Sequence, residues 1–136
     1  MDIFVYSDES GVLDKVHNDY YVFGGILFTS GEERDAFSRK FLAAENNVRL
    51  SESIPPDIEV KACHILPKSK NKLYRSTLSV ERFGVVISQQ KLTSPYLFAN
   101  KKTKQRYLDW SYKMAIRKKF EKMIAQKTID PKKVES

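Results

Sequence analysis

Cysteine is almost missing from this sequence. Cys63 stands alone among 136 residues, so no internal disulfide is available and nothing points to an oxidising compartment. Long apolar runs are missing as well; none approaches the roughly 20 residues that span a bilayer as a helix. The opening residues do not read as a secretory leader. Asp2 stands where a basic start belongs, and Asp8 and Glu9 interrupt the apolar stretch behind it. The expected compartment is therefore the cytoplasm, with no membrane partner. No P-loop or dinucleotide-binding glycine pattern occurs, and Gly24-Gly25 alone does not make one. Internal repeats and low-complexity segments are absent.

What is present is a composition of 41% hydrophobic and 30% charged residues, enough for one globular domain over 1–136 with a real core. The net charge of +7 is unevenly spread. Residues 1–60 hold five basic and twelve acidic side chains, a balance of −7; the remainder holds nineteen and five, a balance of +14. An acidic half joined to a basic half fits a metal site beside a polyanion-binding surface. It also fits helices whose basic faces are simply solvated.

Ile3-Phe4-Val5-Tyr6 is a β-prone run that ends at Ser7-Asp8-Glu9-Ser10-Gly11, so a first, central strand should deliver polar groups at its C-terminal end. A polar loop containing Lys15 and His17 leads to a second run, Tyr20 to Thr29, which should pair with the first as an antiparallel hairpin. Gly24-Gly25 in its middle predicts a bulge or a place where something approaches the backbone closely. Ser30 is the expected cap of a helix over about 32–49, with Glu32 and Glu33 complementing its dipole. Residues 58–62 alternate as a short strand would. A basic helix is expected over 67–80, with Leu73, Thr77 and Val80 inward.

Residues 83–88 form a compact apolar run without strict alternation, as expected of a strand covered on both faces. After a loop around Thr93-Ser94-Pro95, a long helix should run over 102–126. Its expected buried stripe holds Leu108, Trp110, Met114, Ala115, Ile116, Phe120, Met123 and Ile124, with Trp110 in the core. The last residues look like the approach to another strand. The predicted class is α/β, a mixed sheet with an N-terminal antiparallel hairpin and flanking helices.

Asp8-Glu9 is the sharpest chemical signal. Carboxylates are hard oxygen ligands suited to Mg²⁺ or Mn²⁺, and two such ions can drive phosphodiester cleavage. Side chains alternate along a strand, so both carboxylates reach one ion only if the strand end twists or bulges. Plain turn residues are the alternative. Glu59 is a candidate auxiliary metal ligand and Lys61 a candidate phosphate contact, against the alternative of a surface ion pair. Cys63-His64 lacks the partners of a zinc set; His64 is either an acid or base near a phosphate or a structural histidine. Lys68, Lys70, Lys72 and Arg75 are expected to contact phosphates, giving salt-sensitive, sequence-independent affinity.

Phe4-Val5-Tyr6-Ser7-Asp8-Glu9-Ser10-Gly11, followed by Tyr21-Val22-Phe23-Gly24-Gly25-Ile26, resembles the opening of the domain-of-unknown-function family 3800. The resemblance is close over the first 30 residues and loose, in the order of helices and strands, through residue 126. It implies a ribonuclease H-like fold, a prokaryotic or phage origin and a metal-dependent nuclease activity. By position, Asp8 and Glu9 match the family's acidic motif, and Glu59 with Lys61 a second one. The family's later Gln-x-x-Asp motif is not found: Gln126 and Asp130 are one residue too far apart.

The expectation is accordingly a fold that stops short near Ser136, or a short member lacking part of the site. The expected function is a Mg²⁺- or Mn²⁺-dependent nuclease with Asp8 and Glu9 as catalytic carboxylates and Asp8, Glu9 and Glu59 as metal ligands. Nucleic acid would be held by Lys61, His64, Lys68, Lys72 and Arg75. The alternatives are a non-catalytic module of the same fold that binds nucleic acid or an acidic protein, and an interaction domain. An exposed sheet edge would favour homo-oligomerisation or pairing with a missing C-terminal segment.

Overall fold

Nine residues rich in aromatic and β-branched side chains, Tyr20–Phe28 (β2), form the strand around which the chain is organised. In the computed structural model, which describes residues 1–14, 18–92, 97–98 and 100–134, Phe4–Ser10 (β1) pairs antiparallel with one side of β2 and Glu81–Ser88 (β3) with the other. The result is a three-stranded antiparallel sheet in the order β1-β2-β3. Three helices complete the α/β architecture: Gly31–Ser51 (α1), Pro67–Ser76 (α2) and Lys101–Ala125 (α3). Among the described residues no helix is long and apolar enough to cross a membrane. The expected loop around Thr93-Ser94-Pro95, Lys15 and His17 of the first loop, and the last two residues lie outside the described part.

The expected hairpin is present, but β1 is an edge strand among the described residues, not the central one, because β2 is long enough to pair on both sides. Nor does Gly24-Gly25 form a bulge: the register runs unbroken from Phe4↔Phe28 to Ser10↔Val22. Gly25 has a packing reason instead. A Cβ there would lie 2.5 Å from the Phe83 ring and 2.6 Å from the Tyr6 carbonyl oxygen.

The two sheet faces are treated differently. Tyr21, Phe23, Leu27 and Ile87 point to the face under α3, where they are buried with Leu13, Met123 and Ile129. Tyr112 of α3 packs edge-on against Phe23 and Phe83, with ring centroids 5.6 and 6.3 Å away. On the other face, α1 covers only one end of the sheet, where Phe37 meets the buried Phe28 at 5.3 Å. The rest of that face is open, with Tyr74 of α2 at its margin. This corrects the expectation that β3 is covered on both sides: its exposure alternates, and Val86 is 63% exposed.

Local signals placed the helices well. The Ser30 hydroxyl accepts the Glu33 N–H at 3.1 Å, and the Glu33 carboxylate accepts the Thr29 N–H at 3.1 Å, closing the start of α1. α2 stops at Ser76, short of the expected 80, yet Val80 is buried as anticipated.

The strand expected over 58–62 does not form. Among the described residues no strand pairs with this segment to supply its hydrogen bonds. Arg49 instead donates to the carbonyls of Pro55 and Ile58, at 2.8 and 2.5 Å, and ties the segment to the end of α1. A short 3₁₀ turn, Ala62–His64, follows. On α3, Ala115 and Met123 are buried as expected, whereas Trp110 and Ile124 are exposed. A helix lying on one sheet buries a stripe only a little over ~100° wide. Ser111 occupies that stripe, so its neighbour Trp110 is turned out of it.

The first loop is fastened by one buried amide. The Gln89 side chain, just beyond β3, accepts the Asp14 N–H at 3.0 Å and donates to the Val12 carbonyl at 2.7 Å. Gly11 turns the chain out of β1 with φ of +106°, a conformation other residues avoid.

Candidate functional site: a groove on the open sheet face

On the open face, Asp8, Gly24 and Gly84 sit side by side across the three strands. Two strand spacings separate Asp8 from Gly84, about 10 Å. Gly24 has open space above it: nothing lies within 4 Å of where a Cβ would be. The next row towards α1 is Tyr6, Ile26 and Arg82. Tyr6, Asp8, Gly24, Ile26 and Arg82, together with Tyr74 of α2, line an open groove of about 460 Å³. The Arg82 guanidinium sits over the Tyr74 ring, 5.3 Å from its centroid, and makes no ion pair among the described residues. The groove therefore sets one carboxylate on β1 against one cation on β3, with Gly24 beside the carboxylate and Ile26 beside the cation on the strand between them. Of the two expectations held for Gly24-Gly25, the close approach to the backbone is seen at Gly25, where the Phe83 ring lies, while the space above Gly24 is empty.

Asp8 is exposed, and its Oδ1 accepts the N–H of Glu9 at 2.9 Å. That bond caps one outward donor of the β1 edge. Glu9 points to the other face, opposite Phe23. Both acids lie within β1, which runs on to Ser10 without the twist or bulge that would bring them to one ion. They act together at one point only. Burial chiefly, and then the charges of Glu9 and Asp8, hold the Tyr21 hydroxyl above its usual titration range.

The other anticipated residues do not join the groove. Glu59 and Lys61 are exposed in the irregular segment and pair with each other at 3.7 Å, the surface ion pair that was the alternative reading. His64 is exposed in its 3₁₀ turn. Lys68, Lys72 and Arg75 are exposed along α2, whose Tyr74 lines the groove. Gln126 caps the end of α3, and the Asp130 carboxylate accepts the Lys132 N–H at 3.0 Å within a final turn, so neither forms a ligand pair. Among the described residues no three His, Cys, Asp or Glu side chains are placed to hold a metal ion. A divalent cation needs more oxygen ligands than Asp8 supplies, so the donors among the described residues do not fit one.

Sequence reading missed Arg82 and Gly84. The polar and apolar residues of Glu81-Arg82-Phe83-Gly84 do not alternate, and only the period of two along a strand, once β3 begins at Glu81, places Arg82 and Gly84 on one face. No family model matches the chain, and neither a curated protein nor a solved structure gives a significant match.

Proposed function

We propose that this chain is a nucleic-acid-binding α/β module that grips the phosphate backbone through α2 and α3, independently of sequence. One observation carries the reading. These two helices hold thirteen basic residues and two acidic ones. Only Arg117, with Glu121, and Lys119, with Glu81, have a carboxylate partner among the described residues. Unpaired cations at this density attract a polyanion and release its counterions on binding.

The test is the anisotropy of a fluorescent duplex titrated with protein across a salt series. The logarithm of the association constant should fall by about 0.9 per phosphate contact for each tenfold rise in salt. Replacing Lys68, Lys72 and Arg75 together by Glu should weaken binding and flatten that slope. Affinity indifferent to salt, or untouched by the triple replacement and by a matching one on α3, would refute the reading.

A second reading is favoured by Asp8 on its open glycine row, together with the resemblance of the Asp8-Glu9-Ser10 and Gly24-Gly25 segments to the domain-of-unknown-function family 3800. In it the fold is ribonuclease H-like and cytoplasmic, and Asp8 is one ligand of a Mg²⁺- or Mn²⁺-dependent nuclease. The remaining ligands would come from outside the described residues. Metal-dependent cleavage of a labelled strand that disappears in Asp8→Asn, with binding retained, supports it. Retained binding without any cleavage in millimolar Mn²⁺ leaves the binding module alone.

A further inference from the structure

The outer edge of β3 and the exposed flank of α3 enclose a second groove, of about 450 Å³, on the far side of the sheet from β1. Val85, Leu92 and Met114 contribute its apolar lining, Lys91 and Lys118 stand in its wall, and Tyr107 and Trp110 complete it. Trp110 is 56% exposed. It lies against Tyr107, one helical turn earlier, with ring centroids 5.9 Å apart and planes tilted by 37°. An indole left this open is an unused apolar surface, and the groove it shares with the edge of β3 also holds two cations.

Neither Lys91 nor Lys118 makes an ion pair among the described residues. Both are left without a carboxylate partner in a groove that also holds the two rings. An aromatic face between free cations is the arrangement that holds an unpaired base and its flanking phosphates, because every base has a π-face and every linkage a negative charge. Duplex nucleic acid keeps its bases stacked on each other and offers no free face to a side chain outside its grooves. The size is also suitable: small-ligand pockets run from roughly 300 to 1,000 Å³.

We propose that this groove is a single-stranded nucleic-acid subsite, in which one unpaired base stacks on Trp110 and Lys91 and Lys118 hold the adjoining phosphates. The proposal deepens the nucleic-acid reading of the basic helices and rests on it. It adds what charge alone does not supply, a preference for single strands over duplex.

Trp110 is the chain's one tryptophan, so its intrinsic fluorescence reports on this groove alone. The protein is titrated with oligothymidylate and with a blunt duplex of equal length, and the same ligands, labelled, are followed by anisotropy for Trp110→Ala and Trp110→Phe. Saturable quenching by the single strand, and little by the duplex, is the expected result. Trp110→Ala should lose roughly 5- to 150-fold in single-strand affinity, the equivalent of stacking one base. Trp110→Phe should keep much of it, and duplex binding should be unchanged in both. Circular dichroism melts confirm that the variants fold, which an exposed side chain leaves undisturbed.

Anisotropy that shows binding while Trp110 fluorescence stays constant, with Trp110→Ala binding as the parent does, overturns the subsite and leaves the nucleic-acid reading standing. No binding of either ligand at low salt overturns both. Quenching by polyglutamate but not by the oligonucleotide overturns it in favour of an acidic protein partner.

Discussion

The hydroxyls of Ser7 and Tyr112 lie 2.8 Å apart, joining β1 to α3 across 105 residues of chain. The same Tyr112 ring packs against Phe23 of β2 and Phe83 of β3. One side chain of α3 thus touches all three strands, at the row next to Asp8. It fixes the helix over one face and leaves the other free for the groove.

Tyr112 tests this arrangement. Tyr112→Phe removes only a solvent-accessible hydrogen bond and should cost about 0.5 kcal/mol, the low end for such bonds. Tyr112→Ala also removes the ring between Phe23 and Phe83. It should cost about 2–3 kcal/mol, somewhat less than a fully buried aromatic. Urea midpoints of the two variants check both values. Equal losses would show that the ring contacts contribute little.

The two adjacent glycines of β2 should respond in opposite ways. Gly25→Ala drives a Cβ into the Phe83 ring and the Tyr6 carbonyl, so a loss of about 1–3 kcal/mol or more is expected from overpacking. Gly24→Ala meets nothing and should be neutral, or stabilising by up to about 1 kcal/mol, since glycine in a strand carries an entropic cost. Thermal melts of the pair decide the matter.

Glu81 and Lys119 bind β3 to α3 through a hydrogen-bonded ion pair in which the Lys119 side chain is only 12% exposed. Glu81→Gln leaves a largely covered cation without its counter-charge and should cost about 1.5–3 kcal/mol, the range for a hydrogen bond to a charged group. Converting both residues to Met should cost less than that single change, because no charge is then left unpaired. A double-mutant cycle in urea measures the coupling.

Stability should depend on pH through Tyr21. Its folded-state titration is raised above the ordinary 10.0 by burial and by the charges of Glu9 and Asp8. A raised value favours the protonated phenol in the folded state. The associated stability is thus fully present below pH 10.0 and is lost as pH rises through the higher folded-state value. Urea midpoints should fall between about pH 9 and pH 11 in the parent and fall less in Tyr21→Phe. The same decline in both proteins would assign it to other groups.

Some of this molecule is written in short-range pattern. The β1–β2 hairpin follows from two β-prone runs, and α1 from Ser30 and Glu33, whose capping bonds form between residues at most four apart. The basic surfaces of α2 and α3 follow from composition, because a helix with many more cations than anions must expose most of them. The acid pair could be found in the sequence, and so could the warning that Asp8 and Glu9 alternate in direction.

Other features depended on what lies beside what, which no local pattern encodes. Residues 58–62 have the alternation of a strand, but among the described residues no strand pairs with them, and Arg49 takes the carbonyl of Ile58 instead. β3 looked doubly covered from its apolar residues, yet α1 reaches only the Phe28 end of the sheet, so Arg82, Gly84 and Val86 remain outside. Trp110 has the spacing of a core residue, but the stripe of α3 that meets the sheet passes through Ser111, Ala115 and Met123. Periodicity specifies that a face exists; only the packing of distant elements decides whether something covers it. Both grooves were decided in this way: α1 leaves most of one sheet face uncovered, with Tyr74 of α2 at its margin, and the Trp110 flank of α3 lies outside its contact with the sheet.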